Sequence, residues 1–346
     1  MQRTRRTTVA LVAAAALIIP AAPAGAATVS DPIIEGLITP LGLAVGSDGT
    51  IYVAQSFAGL LTAFDKKGNG RTIAQVSPED GAITGVAADG RGTVSYTVTG
   101  APPQGAYRVL PNGNRTFLGD TSSLEFNDNP DGEVLYGFTN VPAGCDVPAP
   151  IGGDVNPNAY AVAILPDGTR VVADAGGNTL VKVAPGRSVG TLLAVLPPVE
   201  LPVDEALAAQ LQVEPCAIGS TYTVHPVPTD VEVGPDGMLY VSSLPGEPGG
   251  APVPGSGGVF RVNPNTGSVT PIATGFFGAV DLAIAPDGTI YVAELFGGQI
   301  SKVVNGGPAD DPVAVVDAPG ALEWHKGRLY ATVNVFGPGA VVTITP

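Results

Sequence analysis

Val280-Asp281-Leu282-Ala283-Ile284-Ala285-Pro286-Asp287-Gly288-Thr289-Ile290-Tyr291-Val292-Ala293-Glu294 is the stretch that decides the fold. An apolar run alternating with small or polar residues stops at Asp287-Gly288 and resumes as a β-branched, aromatic run. That is the pattern of a hairpin with a two-residue turn. Related copies occupy 41–55 around Asp48-Gly49, 83–98 around Asp89-Gly90, 161–174 around Asp167-Gly168 and 230–243 around Asp236-Gly237. A sixth copy at 320–333 carries Lys326-Gly327 in the turn. Three of the five intervals between these glycines are about 40–50 residues, the period of a four-stranded propeller blade. The other two need insertions, at 119–157 and 197–228. The expectation is an all-β chain, one six-bladed β-propeller of four-stranded antiparallel blades over 27–346.

The 47 Gly and 34 Pro suit a chain of many strands and turns, and 45 % hydrophobic residues is ample for a core. Residues 1–26 run from Arg3, Arg5 and Arg6 through an apolar core starting at Val9 to Ala24-Gly25-Ala26, the order of a secretory signal peptide. The apolar core is too short to cross a bilayer of ~30 Å. Arg5-Arg6 is a weak form of a twin-arginine signal. Cleavage would leave 13 of 16 basic residues against 31 acidic ones, a net charge of −18. Such a surface repels nucleic acid and anionic lipid but tolerates cations and neutral ligands. A secreted monomer with no membrane span after cleavage is expected.

Helical signal is confined to 203–212, where Asp204 is placed to cap Glu205-Ala206-Leu207. Cys145 and Cys216 fall one in each insertion, and in an exported chain two cysteines suggest a disulfide. The last copy shows three strands, so the extended segment at 29–37 is expected to supply a fourth and close the ring, leaving no long edge.

With a two-residue turn at Asp287-Gly288, Asp281 lies opposite Glu294; the same count sets Asp230 opposite Ser243, Ala161 opposite Asp174 and Gly42 opposite Gln55. First strands of blades line a propeller's channel. Asp230, Asp281, Glu294, Asp174, Ser243 and Gln55 are therefore expected near one mouth, with the insertions, both cysteines and His225. Loops carried by a rigid scaffold are where binding residues concentrate. Asp230, Asp281 and Glu294 are hard oxygen donors of the kind Ca²⁺ or Mg²⁺ takes, although a strongly acidic chain places carboxylates on many surfaces. Asn127-Asp128-Asn129-Pro130-Asp131-Gly132 is oxygen-rich but reads first as a turn. With only His225 and His325, nucleophilic catalysis has few options, and His225 is the one histidine expected on the mouth face.

Pro228-Thr229-Asp230-Val231-Glu232-Val233-Gly234-Pro235-Asp236-Gly237, Gly258-Val259-Phe260-Arg261-Val262, Ala273-Thr274-Gly275-Phe276 and Val280-Asp281-Leu282-Ala283 resemble the ScyD/ScyE family, as do Val172-Ala173-Asp174-Ala175-Gly176-Gly177-Asn178 and Asn129-Pro130-Asp131-Gly132. The resemblance implies a six-bladed propeller related to NHL-repeat and gluconolactonase-like proteins, and implies no defined reaction. Ca²⁺-dependent lactonases of similar fold hold carboxylates in the channel, to which Asp230 and Asp281 correspond in kind. Two functions follow as expectations. One is a secreted, non-catalytic binding propeller recognising a small molecule, a glycan or a partner protein at one mouth. The alternative is a divalent-cation-dependent hydrolase or lyase, lactonase-like, with the metal on Asp230, Asp281 and Glu294.

Overall fold

The computed structural model describes residues 27–346; the expected signal peptide at 1–26 lies outside them. Among the described residues the strands form seven antiparallel sheets. Six of these begin on the strands Pro40–Val45, Gly81–Ala88, Ala159–Ile164, Pro228–Val233, Ala279–Ile284 and Ala321–His325. These six strands touch one another in cyclic order, the last returning to the first. They will be called the inner strands. Successive strands of each sheet step outward from them, which is the architecture of a β-propeller.

The core lies between neighbouring sheets. Leu61, Ile83 and Tyr96 pack between the first and second, Leu180, Val231 and Leu239 between the third and fourth, and Ile300, Leu322 and Leu329 between the fifth and sixth. Ile51, Val53 and Val341 join the sixth sheet back to the first. Each fully buried aliphatic side chain stabilises the fold by about 1.5–3 kcal/mol. The N-terminal segment closes the ring as expected: Thr28–Val29 and Ile34–Ile38 both pair with Pro338–Thr345 in the sixth sheet.

The turns depart from the two-residue expectation. In the fifth copy Ala285 N donates to Thr289 O and Gly288 N to Ala285 O, so the loop has three residues with Gly288 in the left-handed region at φ +87°. The Asp before the glycine has its own reason to be there. Asp287 Oδ1 accepts from Thr289 N at 2.9 Å, as Asp48, Asp167 and Asp236 accept from the residue two positions on. In the second copy the left-handed glycine is Gly92 rather than Gly90, with Asp89 bonded to both Arg91 N and Thr93 N. The two-residue turn occurs in the copy without Asp-Gly: His325 pairs with Arg328, and Lys326 and Gly327 both have positive φ.

A bulge follows in every one of the copies used to infer the site. Ala279, not Asp281, is opposite Glu294, and Asp281 is opposite Ala293. Likewise Pro228 pairs with Ser243, Ala159 with Asp174 and Pro40 with Gln55. A one-residue change of register turns a side chain to the other face of its sheet. The expected cross-strand pairs are therefore corrected.

The two insertions are not loops. Leu135–Thr139, with Ile151–Gly152 on one side, pairs with Thr221–Val224, which pairs with Val199–Pro202, giving the seventh sheet outside the inner cycle. The helix Glu205–Leu211 is capped by Asp204 Oδ1 accepting from Leu207 N at 2.8 Å, as the sequence suggests. A second helix, Ser122–Asp128, precedes the Pro130-Asp131-Gly132 turn and ends on left-handed Asn129. Cys145 and Cys216 form a disulfide joining the two insertions, Cα atoms 5.5 Å apart.

Candidate binding face and central channel

Gln55, Asp174, Ser243 and Glu294 end the second strands of their sheets, and all four are buried. Each binds the main chain just before its own inner strand. Gln55 Oε1 accepts from Ile38 N at 2.9 Å, Asp174 Oδ1 from Asn158 N at 2.7 Å and Glu294 Oε2 from Phe277 N at 2.7 Å, while Ser243 Oγ donates to Pro226 O. The repeated position thus clamps the incoming link between sheets. Glu294 Oε1 also takes Gln299 Nε2 and Ser301 Oγ. Asp174 accepts a further N–H from Gly177; burial raises its pKa and these N–H groups oppose the rise.

Asp230 and Asp281 occupy one register position on neighbouring inner strands, where the first three sheets carry Gly42, Gly85 and Ala161. The two sets are not interchangeable. A Cβ on Gly42 would lie 2.1 Å from Thr84 O, and one on Gly85 2.5 Å from Ala161 Cα, so the first sheet meets the second, and the second the third, too closely for a side chain at either glycine. On the other side Asp230 Oδ2 accepts from Leu282 N at 3.3 Å and Asp281 Oδ1 from Leu322 N at 2.9 Å, each reaching the next inner strand. Thr84 Oγ1 and Thr97 Oγ1 do the same work from the second sheet, donating to Tyr160 O. Inner strands of different sheets share no ladder, so side chains tie them.

A small cavity at the centre is lined by Asp230, Glu232, Asp281 and Tyr160, and Glu323 is close enough to act on the same carboxyls. Burial pushes Asp230 up to about 7, and burial followed by Asp230's charge pushes Glu323 up to about 8. Glu232 and Asp281 are raised well above the ordinary range, first by burial and then by Asp230. Sequence reading had no signal for Glu232 and Glu323, because their coupling depends on the curvature that brings the fourth and sixth inner strands together.

His225 stacks on Tyr136 at 3.6 Å between ring centroids, and its Nδ1 lies 2.8 Å from Asn178 Nδ2. Asn178 Nδ2 and Tyr136 Oη both donate to Asp131 Oδ2, at 2.7 and 3.0 Å. Burial lowers the histidine's pKa while Asp131 and Asp154 oppose it. The ring is wedged in the seventh sheet's junction with the propeller, between Tyr136 and the Asn178 amide. Among the described residues no three acidic, histidine or cysteine side chains are placed to hold a metal ion, and the carboxylate of Glu294 is bonded to Phe277 N, Gln299 Nε2 and Ser301 Oγ around its own sheet.

No family model matches the chain, and no curated protein is significantly similar to it. Solved structures do match. A streptogramin B lyase aligns at 12 % identity and TM-score 0.52, over 92 % of this chain and 97 % of that one. A putative glucose dehydrogenase from Thermus thermophilus aligns at 16 % and 0.56, over 92 % and 100 %. A gluconolactonase from Xanthomonas campestris aligns at 13 % and 0.55, over 95 % and 99 %. At such identities the likeness is one of fold: this chain is a β-propeller similar to those of the gluconolactonase and streptogramin lyase kind.

Proposed function

We propose that the protein is an exported, six-bladed β-propeller of the ScyD/ScyE type, with the seventh sheet as an appendage, and that it binds a small molecule, glycan or partner protein at the mouth that carries the insertions. One observation carries the binding reading. The polar candidates around that mouth are turned inward onto backbone, while aromatic rings are left outward: Phe57 and Phe336, on the second-to-third-strand turns of the first and last blades, are each 73 % exposed. Exposed aromatic side chains on one rim suit recognition. Export is supported by the disulfide, which persists in oxidising compartments.

A catalytic reading has one observation in its favour, since the streptogramin lyase and gluconolactonase share the fold. It would use the central carboxyls, and Asp230→Asn with Asp281→Asn would abolish any turnover of lactones or esters.

The rim reading is tested by thermal-shift screening of wild type and Phe57→Ser/Phe336→Ser against neutral glycans and culture-medium extracts. The double variant is expected to melt within about 2 °C of wild type, because exposed positions contribute little to stability. Any ligand that raises the wild-type melting temperature is expected to lose at least half of its shift in the variant. An undiminished shift would place binding elsewhere.

A further inference from the structure

Over the first three blades the mouth opens into a cleft of about 770 Å³, within the ~300–1,000 Å³ that takes a drug-sized ligand. Phe57 and Phe126 supply its aromatic walls, and Thr99, Gln104, Asn156 and Asn158 its hydrogen-bonding groups. No Asp, Glu, Lys, Arg or His lines it. In a chain of net charge −15 that absence is selective: a cation would find no counter-charge in the wall, and an anion would meet the repulsion of the whole molecule.

Two details mark the wall as short of partners. Ser56, 1 % exposed, lines the cleft, and its hydroxyl has no hydrogen-bond partner. Thr99 Oγ1 lies 3.0 Å from Gln104 Oε1 and 2.7 Å from Asn158 Oδ1, and its single proton serves only one of these oxygens. Hydroxyl and amide groups offer both donors and acceptors, which matches a ligand whose groups also do both. The rings of Phe57 and Phe126, 73 % and 52 % exposed, present faces for an apolar ligand face to stack on.

We infer that this cleft is a site for a neutral oligosaccharide of two or three rings, bound by stacking on Phe57 and Phe126 and by hydrogen bonds to Asn156, Asn158 and Ser56. The inference rests on the mouth being the binding face and assigns it a position and a ligand class.

The test is calorimetric titration of the full mature protein with chitotriose, cellotriose and maltotriose, and with trigalacturonic acid as a charged counterpart. At least one neutral trisaccharide is expected to bind, and the acid at least tenfold more weakly. Phe126→Ser is expected to weaken binding by about tenfold or more. Ser56→Ala, which removes a hydroxyl with no partner in the fold, should leave the melting temperature unchanged or raised and weaken binding by about five- to tenfold, the worth of one hydrogen bond. Binding of none of the neutral sugars at 10 mM on the order of the weakest useful affinity, or equal binding of the acid, overturns the assignment. If sugars bind but Phe336→Ser on the adjoining last blade abolishes binding and Phe126→Ser does not, the mouth remains the binding face and the cleft is not the site.

Discussion

Replacing both cysteines with serine is expected to destabilise the protein by about 4 kcal/mol, the chain-entropy value for a loop of this size, since Cys145 and Cys216 are 71 residues apart. The loss should be local at first. The disulfide fastens the two insertions, whose sheet stands outside the inner cycle and rests on the small cluster of Phe138, Leu201, Leu207 and Val224. Limited proteolysis of the Cys145→Ser/Cys216→Ser variant should therefore cut within 119–157 and 197–228 while the six-sheet ring stays protected. Cleavage spread evenly over the chain, or a melting curve identical to wild type, would mean that the seventh sheet is stabilised by other contacts.

The second large effect concerns pH. Asp230, Glu232, Asp281 and Glu323 bind their protons more tightly in the folded channel than in the unfolded chain, and Tyr160 adds no positive charge. Groups whose pKa is raised on folding contribute stability that is full below the unfolded value, near 4, and is lost as pH climbs through the folded values of about 7 for Asp230 and about 8 for Glu323. Stability should thus fall between about pH 5 and pH 8, by up to ~1.4 kcal/mol per pH unit for each carboxyl held protonated. At the acid end the turn aspartates work the other way. Asp48, Asp167 and Asp287 are lowered chiefly by the N–H groups of Thr50, Thr169 and Thr289, and their contribution is lost as pH falls below about 4. Asn keeps the acceptor oxygen that Leu282 N and Leu322 N need and cannot ionise, so Asp230→Asn/Asp281→Asn should melt higher than wild type at pH 8. Its decline with pH should be shallower but not flat, because Glu125, pushed up to about 7 by burial and then by Asp174 and Asp131, carries the same sign. A double variant less stable than wild type at pH 8 would contradict the burial account of these carboxyls.

The repeat, the ring and its closure were readable because each rests on local chemistry: alternating apolar runs, glycines in the left-handed region, an unmatched strand at each end. The seventh sheet was not. Its strands are short, two are separated by a connection holding Pro142, Pro148 and Pro150, and the central pair meets across some 85 residues of chain, so no periodic signal marks them. The site was legible in part. The sequence placed Gln55, Asp174, Ser243 and Glu294 at equivalent positions, and they do share one role. That role is structural, and the reason was hidden in the bulge, which sets each of them against the residue that opens its inner strand instead of against Gly42, Ala161, Asp230 or Asp281. The cleft was invisible because Ser56, the pair Thr99 and Gln104, and Asn158 come from three different blades and none carries a charge.

The most direct measurement is thermal unfolding of residues 27–346 after chelator treatment, with and without Ca²⁺ or Mg²⁺ in excess. If the channel carboxyls are held by protons and backbone N–H groups, no ion-specific rise in melting temperature is expected at pH 6. A stabilisation near 2.7 kcal/mol, the value for a specific ion at 100 times its dissociation constant, that disappears in Asp230→Asn/Asp281→Asn would contradict this and put a cation at the centre of the ring.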